Sequence, residues 1–477
     1  MRRAAVLATV LTILFLGSAC AARPGDAVLP SPAAVDADAF IRQGCYTCLE
    51  AAFAAASADG ARDRAFEAAL LLAARAKELG LPPGRWLAEA EARLPPGPDW
   101  AAYLDIVVTQ PADPLSGDRD VLMVERLEGR RPRDVYDAWR GQLKAGPGSA
   151  LLRAYLDLSV ACRPQQPDPG EDAVGAAMQQ FRDVPLIQYR AGLCGGSAAA
   201  QLAAARDADP AFVDADLELG RRALQQPLPD VEEAIRRFQS AQAAFPDSPV
   251  MPASIGSLRE SREEWAQALA EYDAALALVP THRDALLGRA IALSYLSRHE
   301  DAVASATRLL ELGNWFVGQA HYWRGWNQYR LGRIEEARAD VDLAKTLMVN
   351  APTFVLSGLI EWRMKRLESA EGELQAALNL DFGQCEAASY LGGVRAERQQ
   401  WPESRAAFVH AVQCFELSIV TRRAAIASLS VTPGHAAANA VPTAVHQGAM
   451  ADAEMRRAEA ARNIAAIDRN LAASEGR

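Results

Sequence analysis

Apolar residues recur at helical spacing along most of the chain, in stretches of helix length cut by short breakers. Leu49 to Ala56 and Ala65 to Leu79 are two such stretches, and the Ser57-Ala58-Asp59-Gly60 turn between them makes the region from Ala34 to Leu94 a helical hairpin. Leu94-Pro95-Pro96-Gly97-Pro98 then interrupts the chain, and Ala112 to Arg133 reads as loop. Gly146-Pro147-Gly148-Ser149 caps a new helix from Ala150 to Cys162, and Pro164 to Gly170 is a further breaker. No clean period can be counted in this half.

From Gly256 onward a period appears. Gly256, Ala290, Gly325, Gly358 and Gly392 follow one another at gaps of 34, 35, 33 and 34 residues. Twelve residues after each stands a second small residue: Ala268, Ala302, Ala337, Ala370 and Ser404. A fixed period in the thirties marks units that stack side by side, because a single unit cannot bury its apolar face alone. Small residues are needed where two antiparallel helices approach closely, and Tyr272 is placed to fill the gap beside Gly256 and Ala268. Pro280 stops the second helix of that unit.

These positions, with Tyr272, Ala275 and Pro280 in one unit and Phe408 and Ala411 in the last, resemble the tetratricopeptide (TPR) repeat. Upstream, Gly220, Ala234, Phe238, Ala241 and Pro246 form one more unit, stretched by Gln226-Pro227-Leu228-Pro229. The pattern departs at Pro252, where the family has an aromatic residue, and at Asn314, where it has proline. The resemblance covers about six repeats over 213–418. It implies an all-α, right-handed superhelical solenoid of helix hairpins, degenerate over 36–212. Terminal helices follow over 419–477: one from Ile419 to Leu429, a linker at 432–448, and an amphipathic helix from Met450 to Leu471. The last carries Ala453, Ala460, Ile464, Ile467 and Leu471 on one stripe and should cap the final repeat.

In the family the first helix of each repeat lines a concave groove. Carried onto this chain, the inward positions are Ser257 and Glu260, then Leu287, Ile291 and Tyr295, then Tyr322, Trp326, Tyr329 and Arg330, then Leu359, Trp362 and Arg363. Tyr295, Tyr322, Trp326, Tyr329, Arg330, Trp362 and Arg363 are the side chains expected to hold a partner, since aromatic residues and arginine dominate binding hot spots. For Trp326 and Trp362, packing against the next repeat weighs about equally with binding. For Trp315 and Trp323 packing is favoured.

Residues 1–20 begin with Arg2-Arg3, continue with an apolar run from Ala4 to Leu16, and end in Gly17-Ser18-Ala19-Cys20. That is a secretory signal, and the run is shorter than the roughly 20 apolar residues of a membrane span. Small residues before a cysteine resemble the bacterial lipoprotein box, which implies lipidation of Cys20; the alternative is cleavage after Ala21 and release. Residues 21–35, rich in Ala, Pro, Gly and Ser, suit a flexible tether. The absence of an acidic residue after Cys20 resembles outer-membrane sorting.

Of seven cysteines, Cys20 leaves six: Cys45, Cys48, Cys162, Cys194, Cys385 and Cys414. An even remainder in an exported chain suggests disulfides, with fifteen possible pairings. Cys385 opens the first helix of its repeat and Cys414 closes the second, ends that an antiparallel pair brings together, and Cys162 and Cys194 are spaced by about one repeat. Cys45-Tyr46-Thr47-Cys48 has the spacing of a thiol-exchange motif but lacks the strand and βαβ frame such chemistry uses, so a structural bridge is favoured over a redox role. The six histidines show no metal-ligand spacing, and no nucleophile elbow, phosphate loop or dinucleotide fingerprint is present. A net charge of −10 argues against nucleic acid. The expectation is a non-catalytic envelope scaffold that needs no cofactor, metal or small-molecule substrate and binds a protein or peptide. The alternatives are an accessory subunit of an envelope polysaccharide export or assembly machine and, further off, a thiol-disulfide oxidoreductase.

Overall fold

The computed structural model describes residues 36–79, 81–109, 132–162, 171–194, 198–208, 213–224, 230–313, 316–430 and 436–475. The signal, Cys20 and the tether lie outside the described residues, as do Trp315 and Asn314. Among the described residues there are 23 helices and no strand. The expected all-α fold is what the described residues form, with the regular helix hairpins of the repeat in the second of two compact units. The first unit is drawn from the chain up to residue 226 and from 240–248, the second from 227–239 and from residue 249 onward.

The first unit contains α1 (Ala37–Gln43), α2 (Tyr46–Ala58), α3 (Arg62–Glu78), α4 (Gly84–Arg93) and α5 (Pro98–Val108). After these come α6 (Pro132–Ala145), α7 (Ala150–Ala161), α8 (Glu171–Gln180), α9 (Pro185–Gly192), α10 (Ala198–Ala208) and α11 (Val213–Leu224). Its middle is α3, in which Ala68 through Ala74 are fully buried. A stretch apolar on every side, as residues 68–74 are, has to be enclosed by other helices. Near its end α3 carries Arg75 and Glu78, 1% and 7% exposed, and Arg190 of α9 completes the charge group: Glu78 takes Arg75 at 2.6 Å and Arg190 at 2.9 Å. Tyr155 of α7 donates its hydroxyl to the same carboxylate at 3.1 Å. Buried charge is tolerated where its partners sit this close. Ser149 caps α7 by accepting from the Leu152 amide at 3.0 Å. The loop expected up to Arg133 gives way to helix from Pro132, the residue type that suits a first helical turn.

The regular run follows α12 (Val231–Ala244), which both units share. Its hairpins are α13 and α14 (Val250–Ser261, Trp265–Leu278), α15 and α16 (Arg283–Tyr295, His299–Glu311), and α17 and α18 (Val317–Arg330, Ile334–Leu347). The last two are α19 and α20 (Ala351–Arg363, Leu367–Leu380) and α21 and α22 (Cys385–Glu397, Trp401–Ser430). The helices of the upstream unit, α11 and most of α12, fall in different compact units, so the regular second unit holds five of the six expected hairpins.

The small residues mark the close approaches. A Cβ added at Gly256 would stand 2.8 Å from the Tyr272 ring, at Gly358 2.7 Å from Leu374 Cγ, and at Gly392 2.8 Å from the Phe408 ring. Ala268, Ala302, Ala337, Ala370 and Ser404 are all fully buried opposite them, and Ser404 gives its hydroxyl to the Gly392 carbonyl at 2.8 Å. Each first helix ends alike. Glu263, Ser297, Gly332, Lys365 and Gln399 have φ between 57° and 80°, and the next amide reaches back five residues, as from Arg298 to the Leu293 carbonyl at 2.8 Å. This is the turn that satisfies the last carbonyls of a helix before the chain reverses.

Two expectations fail at the C-terminal end. The second helix of the last repeat and the helix expected from Ile419 to Leu429 are one element, α22, because no Gly or Pro interrupts residues 403–430. Cys414 therefore lies inside that helix and does not close it. The linker expected at 432–448 is helical from Ala436, part of α23 (Ala436–Glu475). The alanines around Asn439 favour helix strongly enough to outweigh the breaker reading of Pro442. Along α23, Ala453, Ala460 and Ile467 are buried, with Ala453 and Ala460 in the same core as Phe408, Ala411 and Phe415, so the expected cap does cover the last repeat. Among the described residues no helix is long and apolar enough to cross a membrane.

Candidate functional site

On α17, Trp326, Tyr329 and Arg330 stand three and four residues apart and so share a face. Leu359, Trp362 and Arg363 repeat that spacing on α19, one repeat later. The two triplets line a recess of about 760 Å³. Leu359 is buried, the three aromatic rings are half-buried, and both arginines are exposed. Arg330 holds its guanidinium 5.9 Å from the centre of the Trp326 ring, a cation resting on an aromatic face. Among the described residues neither Arg330 nor Arg363 has a carboxylate partner. Burial pushes the Tyr329 phenol above its usual range, against the pull of Arg363, so it stays neutral.

Four further side chains complete the recess: Lys365, Tyr390, Glu397 and, from the capping helix, Arg456. Glu397 is its one acid. Trp362 donates its indole N–H to one carboxylate oxygen at 2.9 Å, and Lys365 approaches the other at 2.9 Å. Lys365, and after it Trp362, hold the Glu397 carboxyl below its usual range. Arg456 is engaged with Asp452 at 2.7 Å and stands 4.0 Å from Glu386.

Of the residues expected in the groove, Tyr295 and Tyr322 do not line this recess. Tyr295, 57% exposed, lies flat on Trp265 with ring centres 3.9 Å apart and planes 4° from parallel. Tyr322 meets Trp323 edge to face at 5.2 Å beside the core of Ala337 and Val341, and burial pushes its phenol up to about 12. Glu260 accepts the Tyr272 hydroxyl at 2.7 Å inside its own hairpin, and Leu287 packs beside Leu309 and Ala320.

Extending the register by one repeat would have found Glu397. It occupies the position held by Arg330 and Arg363, five residues after the small residue, and Gly393 occupies the position of Trp326 and Leu359. Arg456 gave no such signal, because its place depends on how a separate helix docks.

Cys45 is bonded to Cys48, with Cα atoms 5.0 Å apart, and Cys45 is 2% exposed at the start of α2. Its sulfur accepts the Cys48 amide at 3.2 Å. Cys162 is bonded to Cys194 and Cys385 to Cys414, with Cα separations of 4.9 and 5.3 Å. The bridged cysteines are 32 and 29 residues apart, and the second bridge joins α21 to α22 within one hairpin.

Four of the described histidines take partners, while the Nδ1 atom of His446 is buried without a hydrogen bond among the described residues. His282 accepts the Ala285 amide, His299 pairs with Asn327, His321 with Asp340, and His410 stacks on Phe382. Among the described residues no cluster of three or more His, Cys, Asp or Glu side chains could hold a metal ion.

No family model matches the chain, and no curated protein matches it. Solved structures resemble parts of it. YrrB, described as a TPR protein with an unusual peptide-binding site, is 20% identical over 37% of this chain and 91% of its own, at a TM-score of 0.32. A tetratricopeptide repeat protein from Parabacteroides merdae is 16% identical over 50% of this chain and 91% of its own, at 0.37. TTC0263 from Thermus thermophilus, a thermophilic TPR protein, is 18% identical over 38% of this chain and 98% of its own, at 0.32.

Proposed function

We propose that the protein is a non-catalytic scaffold of the bacterial cell envelope, exported by residues 1–20, held by lipid on Cys20, and built to capture a segment of a partner protein. One observation carries the reading. In a chain of net charge −10, two guanidiniums without carboxylate partners among the described residues stand in a single 760 Å³ recess with aromatic walls. Left free beside aromatic rings, they suit a partner segment that brings an acidic group and some apolar area.

The test compares affinity capture from membrane extracts by the native chain and by the Trp326→Ala, Arg330→Ala double variant. The native protein should enrich a partner that the variant loses, with thermal unfolding little changed. Equal capture by both would remove the recess as the binding site. Intact mass of the membrane form tests the lipid on Cys20.

A further inference from the structure

Behind Trp362 the recess continues into a smaller one of about 200 Å³. Trp362, Tyr390 and Arg456 line both chambers. The floor of the inner one is carbon: Phe408 and Phe415, 4% and 3% exposed, with the backbone of Gly393. Glycine is what leaves the room, since a Cβ at residue 393 would stand 2.6 Å from the Trp362 ring. The rim is polar: Glu386 and Ser389 of α21, with Arg456, Glu459 and Asn463 of the capping helix.

We infer that this inner chamber is a side-chain pocket for one bulky apolar residue, a leucine or phenylalanine, belonging to the same partner segment that sets its acidic group on Arg330 and Arg363. The inference rests on the proposed function. Size admits such a side chain, for a cavity of about 150 Å³ already takes a benzene ring. The floor selects an apolar one, because a polar group pressed onto Phe408 and Phe415, below the polar side chains of the rim, would lose its hydration there without replacement. The capping helix is thereby part of the recognition surface as well as a cover for the last repeat.

The test uses the full chain and fluorescein-labelled, twelve-residue Gly/Ser peptides read by fluorescence anisotropy. One carries an Asp pair, one a single Leu, one neither, and a set carries both at spacings of one to five residues. The best peptide with both should bind about tenfold more tightly than the Asp pair alone, the gain expected for burying one leucine. Asn463→Trp, which fills the chamber from the capping helix, should remove that gain and leave binding of the Asp-pair peptide unchanged. Gly393→Ala, which presses on the Trp362 ring from inside the chamber, provides a second test of the leucine gain should the first variant unfold, read as the ratio of the two peptides' affinities within that variant. If leucine adds nothing at any spacing, or its gain survives both variants, the inner pocket is refuted while the scaffold reading stands. If no peptide binds in a way that depends on aspartate and on Arg330 and Arg363, both fall.

Discussion

The position sixteen residues beyond each small residue shows how volume is balanced inside a hairpin. It holds Tyr272, Val341, Leu374 and Phe408 where the small residue is glycine, and Ala306 where it is Ala290. A large side chain on the second helix requires the missing Cβ on the first. Gly358→Ala should therefore destabilise by about 1–3 kcal/mol through overpacking against Leu374, despite alanine's better helix propensity. Adding Leu374→Ala should relieve the clash, so that the double variant loses less than the sum of the two single losses in urea unfolding. Strict additivity would show that the two side chains do not compete for the same space. The sequence displayed the small residues openly. It displayed one filling residue, Tyr272, but not the compensation in the other repeats, because the filling residue changes type from repeat to repeat.

The elements repeat in their turns as much as in their helices. Glu263, Ser297, Gly332, Lys365 and Gln399 all adopt the left-handed conformation, yet only one is glycine. A non-glycine residue held there costs roughly 1–2 kcal/mol. Gly332→Ala should lower stability by about 1 kcal/mol, whereas Ser297→Gly should be neutral or stabilise by up to about 1 kcal/mol after the entropy of a freer unfolded chain is counted. Denaturant midpoints with unchanged slopes would check both, and a neutral Gly332→Ala would mean the turn can rearrange at no cost. The identity of these residues hid the shared geometry, since closing the hairpin imposes the conformation on whatever side chain stands there. The C-terminal helices differ from the expected ones for a local reason: no breaker divides residues 403–430, and helix-favouring alanines carry the last helix through Pro442.

For the whole molecule, buried carboxyls set the response to acid. Burial pushes Glu67 in the first unit and Glu260 in the second above their ordinary 4.5, in spite of hydrogen bonds from Ser149 and Tyr272. A carboxyl raised on folding penalises the folded state while it is charged, and the penalty disappears as pH falls through the folded value toward the unfolded one. Glu233 and Glu397 act oppositely: arginines in one case, Lys365 and Trp362 in the other, hold them low, so their contribution is present above 4.5 and lost below the folded value. Glu260→Gln should accordingly raise the melting temperature at pH 7, by an amount that shrinks to nothing below about pH 4.5. A gain that persisted at pH 4 would assign the effect to packing.

The sequence by itself determined the helical class, the hairpin repeat and the face that carries Trp326, Tyr329, Arg330, Trp362 and Arg363, because each depends on spacing within one helix or between neighbours at a fixed period. Only the tertiary structure decided which of the expected aromatics share a recess. Tyr295 is drawn onto Trp265 and Tyr322 against Trp323, while Tyr390 and Arg456 enter from positions outside the register. Where a side chain ends up depends on what packs against it. The capping helix that brings Arg456 is joined to the groove by docking alone, and docking leaves no period in the chain.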